Sequence, residues 1–158
     1  MGESHIPRRW WALDKEQPMF SRLSRIVETA WVNDKGLLIE GPVGVGKTFA
    51  AMILLHRLLS RGASCLFVSV PDLADSLRKQ TPLATVEKMK TVQHLVLDDL
   101  GAEYDKSGWW FSILYQIVNE RYSNSLPTTA TCNTFKQIEP RVLRRIAETA
   151  HVVTMERE

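Results

Sequence analysis

Eight residues, Gly41-Pro-Val-Gly-Val-Gly-Lys-Thr48, fit the pattern G-x-x-x-x-G-K-[ST] without a departure. Glycines at this spacing let the backbone turn so that successive N–H groups point inward at a phosphate chain. A helix opening at the end of the loop adds its positive N-terminal end. Lys47 is then placed to reach the β- and γ-phosphates, and Thr48 to put its hydroxyl on Mg²⁺. Gly41, Pro42, Val43, Gly44, Val45, Gly46, Lys47, Thr48 and Phe49 are therefore the candidate nucleotide-binding residues. A second pattern is His94-Leu-Val-Leu-Asp-Asp-Leu-Gly-Ala-Glu103, an apolar run that ends in two adjacent aspartates. With ATP and Mg²⁺ placed at one strand end, a second strand ending in acid has a task. Asp98 holds Mg²⁺ through water, and Asp99 orients or deprotonates the attacking water. The plainer alternative for Asp99 is a solvated side chain where the strand emerges.

Both motifs need a scaffold that brings strand ends together. Apolar runs of strand length occur at GLLIE, SCLFVSV, HLVLD, the Thr-rich LPTTATCN and AHVVTM. Between them lie segments of helical periodicity: PMFSRLSRIVETAWV, with Pro18 at its start, then KTFAAMILLHRLLSRG, closed by Gly62. Pro71-Asp72 opens another, a short helix carries Glu87, Lys88 and Lys90, WWFSILYQIVNERY is a fifth, and EPRVLRRIAE is a basic last one. Strands alternating with helices of this length imply an α/β fold: a five-stranded parallel sheet covered on both faces, in three αβα layers. Ligands of such sheets bind beyond the carboxyl ends of the strands, which puts both motifs at one edge.

Composition narrows the classes. With 158 residues, 44% hydrophobic and 24% charged, the chain suits one globular domain. A net charge of +2 gives no global field for nucleic acid, so any basic patch is local. No apolar run approaches a membrane span, and Cys65 and Cys132 are isolated thiols in apolar or Thr-rich surroundings. The expected compartment is the cytoplasm.

The stretches GPVGVGKT, LVLDDLGAE, ILYQIVNERY, TTATCN and RVLRRI together resemble the AAA+ core of the DnaC/DnaI-type replicative helicase loaders, a signature shared by the transposition ATPase IstB. The resemblance runs from about Ile6 to the last strand, and its specific part is DDLGAE with YQIVNERY. It implies a P-loop NTPase of AAA+ type, with residues 1–17 as an N-terminal arm and 18–158 as the ATPase core. No helical lid domain is expected after the last strand. It implies ATP and Mg²⁺ as cofactors, hydrolysis of ATP, single-stranded DNA and a replicative helicase as partners, and head-to-tail self-association into a spiral or ring-like oligomer. Asn133 matches the position that senses the γ-phosphate, although an asparagine after a strand is also a common turn former. Arg145 falls at the arginine-finger position, with Arg141 and Arg144 as alternatives in register and a solvated basic face as the plainer account. Most such relatives carry glutamate where Asp99 stands.

Candidate DNA contacts are Arg78, Lys79, Lys88, Lys90 and Lys106; Trp109 and Trp110 suit stacking, but their helical placement favours core. Glu103 is a neighbour of the metal or an exposed acid. Arg8, Arg9, Trp10 and Trp11 have no assigned role, and His56 is expected on the helix surface. Competing functions are a transposase-partner ATPase acting on double-stranded DNA, a small-molecule kinase, and a nucleotide-switched binding module with very slow turnover. A kinase would want an arginine-bearing lid and an acceptor pocket.

Overall fold

The computed structural model describes residues 6–31, 34–79, 83–102 and 108–157. In chain order they form α1 (Phe20–Ala30), β1 (Gly36–Glu40), α2 (Lys47–Ser60), β2 (Cys65–Ser69), α3 (Val70–Lys79) and α4 (Leu83–Thr91). There follow β3 (His94–Asp98), α5 (Trp109–Ser123), β4 (Thr128–Cys132), α6 (Pro140–Glu148) and β5 (Ala150–Thr154). The strands make one parallel sheet in the order β2-β3-β4-β1-β5.

Period-two alternation decides what each face buries. Leu37, Ile39, Phe67 and Val96 point to the layer of α1 and α2. Leu38, Leu66, Leu95, Leu97 and Ala130 point to the opposite layer, with Trp110, Leu114 and Ile117 of α5 and Val142 and Ile146 of α6. Three layers result, as the alternation of elements implies. β4 lies in the middle of the sheet, yet three of its five residues are buried threonines, Thr128, Thr129 and Thr131. A buried hydroxyl without a partner is costly, so each must be bonded. Thr129 Oγ1 accepts the Leu37 N–H at 3.0 Å and pairs with His94 Nε2 at 2.8 Å. Thr128 Oγ1 accepts from Arg121 Nε at 2.9 Å.

Arg121 is fully buried on α5 and uses all five of its N–H groups. Beyond Thr128 it donates to the carbonyls of Met89, Val92, Gln93 and Pro127, at 3.0, 2.7, 3.3 and 2.7 Å. It thereby ties the end of α4, the approach to β3 and the entry to β4 to the last turn of α5. Burial pushes its pKa down to about 10, still far above neutrality.

Element ends depart slightly from the sequence pattern. α1 begins at Phe20 rather than at Pro18, and α3 begins at Val70 with no loop after β2. Pro71 in its first turn lacks only an N–H that a helix start leaves unbonded anyway. Gly62 closes α2 as expected, at φ +83°, with its N–H on Leu59 O and that of Ala63 on Leu58 O. Trp110 is core at 1% exposure and Trp109 lies at the surface. His56 corrects the expectation of a surface residue: it is half-buried, and its Nε2 donates to Trp10 O at 2.7 Å. The segment before α1 packs there on α2, with the Trp10 ring 5.4 Å from Phe49 and Ile6 buried. β5 is the last element among the described residues, and no helix among them is long and apolar enough to cross a membrane.

Candidate nucleotide site

β1 and β4 are neighbours, in register from Leu38 with Ala130 to Glu40 with Cys132, so the loops that leave them meet. The glycine-rich loop leaves β1 and turns into α2 through Gly46, at φ +97°, a conformation that costs a side-chain-bearing residue. Gly41 needs to be glycine for a different reason: an added Cβ would lie 2.6 Å from Met155 O. The first intrahelical bond of α2 is Ala50 N–H to Gly46 O, which leaves the amides of Lys47, Thr48 and Phe49 outside the helical ladder, at its positive end. The Phe49 side chain is buried against Trp10 and Phe20, which leaves its amide as the group that could face a phosphate.

The Lys47 ammonium turns back over the loop. It donates to Gly41 O at 2.7 Å, Pro42 O at 2.9 Å and Asn133 Oδ1 at 3.1 Å. Burial lowers its pKa, against the opposing pull of Asp99, Cys132 and Asp98. The chain just after Asn133 is tied to the end of β1, where the Phe135 N–H donates to Glu40 Oε2 at 2.6 Å.

Asp98 closes β3 across from Thr48. The Thr48 hydroxyl lies 2.9 and 3.1 Å from its two carboxylate oxygens, and the Thr131 hydroxyl donates to Oδ1 at 2.7 Å. Burial raises the Asp98 pKa, while the bonds from Thr131 and Thr48 act the other way. Asp99 is exposed and adopts φ +62°, the left-handed region that aspartate tolerates better than most residues. Its N–H donates to Thr131 Oγ1 at 2.9 Å. Thr131 therefore fixes the carboxylate of one aspartate and the backbone of the next. Sequence reasoning missed it; the one available signal is a threonine near the end of a strand beside the acidic one. It also missed an open cavity of about 670 Å³ beside the loop, whose walls include Met19, Arg22, Val45 and Arg157. Arg157 reaches Val43 O at 3.4 Å.

The structure thus brings together Gly41 to Thr48, Asp98, Asp99 and Asn133, and leaves Arg145 elsewhere. Arg145 is on the last turn of α6, which leads into the amino end of β5, whereas the loop lies at the carboxyl ends. Its guanidinium carbon sits 4.3 Å over the Tyr122 ring. Of the alternatives, Arg141 pairs with Glu139 at 3.0 Å and Arg144 with Glu148 at 3.2 Å. Among the candidate DNA contacts Arg78 is exposed, Lys79 pairs with Asp75 at 3.1 Å, and Lys90 pairs with Glu87 and Glu120 at 3.3 and 3.6 Å. Glu103 and Lys106 lie outside the described residues.

The family model of the IstB-like ATP binding protein matches residues 15–156. The chain belongs to this family. Its IstB-like sequence is 35% identical over 103 residues to the replicative helicase loader DnaI of Bacillus subtilis, across 63% of this chain and 33% of that protein. It is 36% identical over 76 residues to the putative ATP-binding protein of insertion sequence IS1162 from Pseudomonas fluorescens, across 45% of this chain and 33% of that protein. The crystal structure of a DnaI superposes with a TM-score of 0.75 at 26% identity, covering 96% of this chain and 95% of that one. The IstB-like chain is an AAA+ P-loop NTPase in fold, and it spans about a third of the length of these curated relatives.

Proposed function

We propose that this chain is an ATP-hydrolysing AAA+ protein that binds single-stranded DNA and loads or remodels a replicative helicase, acting in the cytoplasm as a head-to-tail assembly. The observation that carries the reading is the convergence of Lys47, Thr48, Asp98 and Asn133 at one edge of the sheet. Residues 18–158 are the ATPase core and residues 1–17 its N-terminal arm. Lys47 exchanges its carbonyl partners for phosphate oxygens, and the amides of the loop and of the first turn of α2 bind the rest of the chain of phosphates. The base lies in the cavity beside Val45 and Met19. An all-oxygen set of Thr48 and Asp98 suits a hard divalent cation, and these two residues would hold Mg²⁺. When bound, that ion neutralises charge developing on the phosphates. Asp99 orients the attacking water or takes its proton, and Asn133 donates from its amide nitrogen to the terminal phosphate while its oxygen faces Lys47. Arg145 cannot serve its own loop from the far end of the sheet, so it completes the site of a neighbouring copy.

The test is the rate of ATP hydrolysis per subunit over a range of protein concentrations, with and without single-stranded DNA. A specific rate that climbs with both supports completion in trans and the loader reading. A flat, DNA-independent rate overturns the trans site and leaves a nucleotide-switched module. Identity to the IS1162 protein favours a second reading, a transposition ATPase acting with a transposase on double-stranded DNA. Stimulation by duplex and not by single strands would select it.

A further inference from the structure

The geometry points to Tyr122 as a positioning residue for Arg145, holding the guanidinium in the orientation in which it is offered to a neighbouring copy. The inference rests on the reading of Arg145 as a residue acting in trans.

Four observations converge. The Arg145 guanidinium carbon is 4.3 Å from the centroid of the Tyr122 ring, well inside the distance at which a cation is attracted to an aromatic face. Both side chains are half-buried, so the contact forms where α5 and α6 pack and not on an open surface. The ring also has a carboxylate for a neighbour: Tyr122 and Arg144 together hold the Glu148 carboxyl below the usual range, Arg144 through an ion pair at 3.2 Å. The preceding residue, Arg121, is anchored by five hydrogen bonds to α4 and to the chain on either side, so the last turn of α5 has one position relative to the sheet. An arginine side chain otherwise has several rotatable bonds, and a group that must meet a phosphate on another molecule loses rate when it wanders. Arg141 and Arg144 have carboxylate partners of their own, at 3.0 and 3.2 Å. Arg141, in the first turn of α6, also lies over rings, 4.9 Å from Phe111 and 5.7 Å from Tyr115; of the three, Arg145 is the one over Tyr122. In the sequence, the adjacent Arg121 and Tyr122 divide the work: the first locks the helix end and the second presents a face.

The test compares Tyr122→Leu, Tyr122→Phe and Glu148→Ala with Arg145→Ala, in the full chain with single-stranded DNA. Tyr122→Leu is expected to lower DNA-stimulated turnover about 5- to 10-fold with nucleotide affinity unchanged. Tyr122→Phe keeps the ring and is expected to stay within about twofold of the parent. Adding Tyr122→Leu to Arg145→Ala should cost nothing further, because the ring acts only through the guanidinium. Tyr122→Leu subunits keep an intact loop and Lys47→Ala subunits an intact arginine, so mixing the two should restore turnover, while mixing Tyr122→Leu with Arg145→Ala should not. Should Tyr122→Leu melt early, Glu148→Ala, on the exposed side of the pair, replaces it and should slow turnover without changing affinity. Normal stimulated turnover in both Tyr122→Leu and Glu148→Ala, with Arg145→Ala inactive, overturns the inference and leaves the trans reading standing. Normal turnover in Arg145→Ala overturns both.

Discussion

The Lys47 ammonium and the Asn133 amide oxygen lie 3.1 Å apart, joining the loop after β1 to the end of β4. Two residues distant in sequence thus contact each other, because their strands are neighbours in the sheet. In the proposed site phosphate takes the place of the Gly41 and Pro42 carbonyls at Lys47 while Asn133 stays beside the ammonium, so Asn133 experiences the occupancy of the loop directly.

Lys47→Ala should lower nucleotide affinity by about 100-fold or more, since it removes charge-assisted hydrogen bonds of about 1.5–3 kcal/mol each. Titration with a fluorescent ATP analogue measures it, with circular dichroism to check the fold. Affinity within a few-fold of the parent would place the phosphates elsewhere.

Asp98→Asn separates stability from metal binding. The Asp98 carboxyl has a pKa above its ordinary 3.8, so the native state holds its proton more tightly than the unfolded chain does. The resulting contribution favours folding at low pH and is lost as pH rises from about 3.8 through the raised value. Asparagine has no such loss, and the variant should melt no lower than the parent at pH 7. Its nucleotide affinity in Mg²⁺ should fall about tenfold or more, with little change in chelator. Equal affinity in both conditions would remove Asp98 from the metal.

His94 gives acid sensitivity of the opposite sign. Burial and the Arg121 charge push its pKa from 6.5 down to about 3, so the unfolded chain binds a proton that the native chain refuses. Stability is complete above about pH 6.5 and declines as pH falls towards 3, by up to about 1.4 kcal/mol per pH unit. Urea unfolding at pH 7 and pH 5 should show this decline in the parent and a smaller one in His94→Gln. Equal declines would assign acid lability to other groups.

Arg121→Met should destabilise the fold by about 3–5 kcal/mol, because four carbonyls and the Thr128 hydroxyl lose their buried donor. Arg121→Lys should do little better, as an ammonium has three donors and no planar fork. Denaturant titration decides; a lysine variant as stable as the parent would show that charge alone suffices.

Local chemistry was legible and long-range partnership was not. The loop from Gly41 to Thr48 declares itself because its function requires a fixed spacing within one turn of chain. The end of β3 is marked by the change from Leu97 to Asp98, which any buried strand must show where it meets solvent. Thr131 gives no such sign: its importance depends on β4 lying beside β3, and strand order is not a local property. Arg121 reads as one more polar residue on an amphipathic helix, since three of its acceptors, Met89, Val92 and Gln93, lie 28 to 32 positions away. His56 was misread for the same reason, as its partner is Trp10, 46 residues earlier. The cavity beside the loop is drawn from Gln17 to Arg22 and from Glu156 and Arg157, distant segments that only the folded sheet edge brings together.

The nucleotide loop and Arg145 sit at opposite ends of the same parallel sheet. If Arg145 acts in trans as proposed, a subunit built this way has a direction, like an arrow with a socket at its head and a plug at its tail. Copies joined plug to socket would form a polar row in which one terminal socket always stays empty. An open row would then count one working site fewer than its members, and only closure into a ring would fill the last. Turnover per subunit would rise with the length of the row, so the rate itself would report how many copies stand in line.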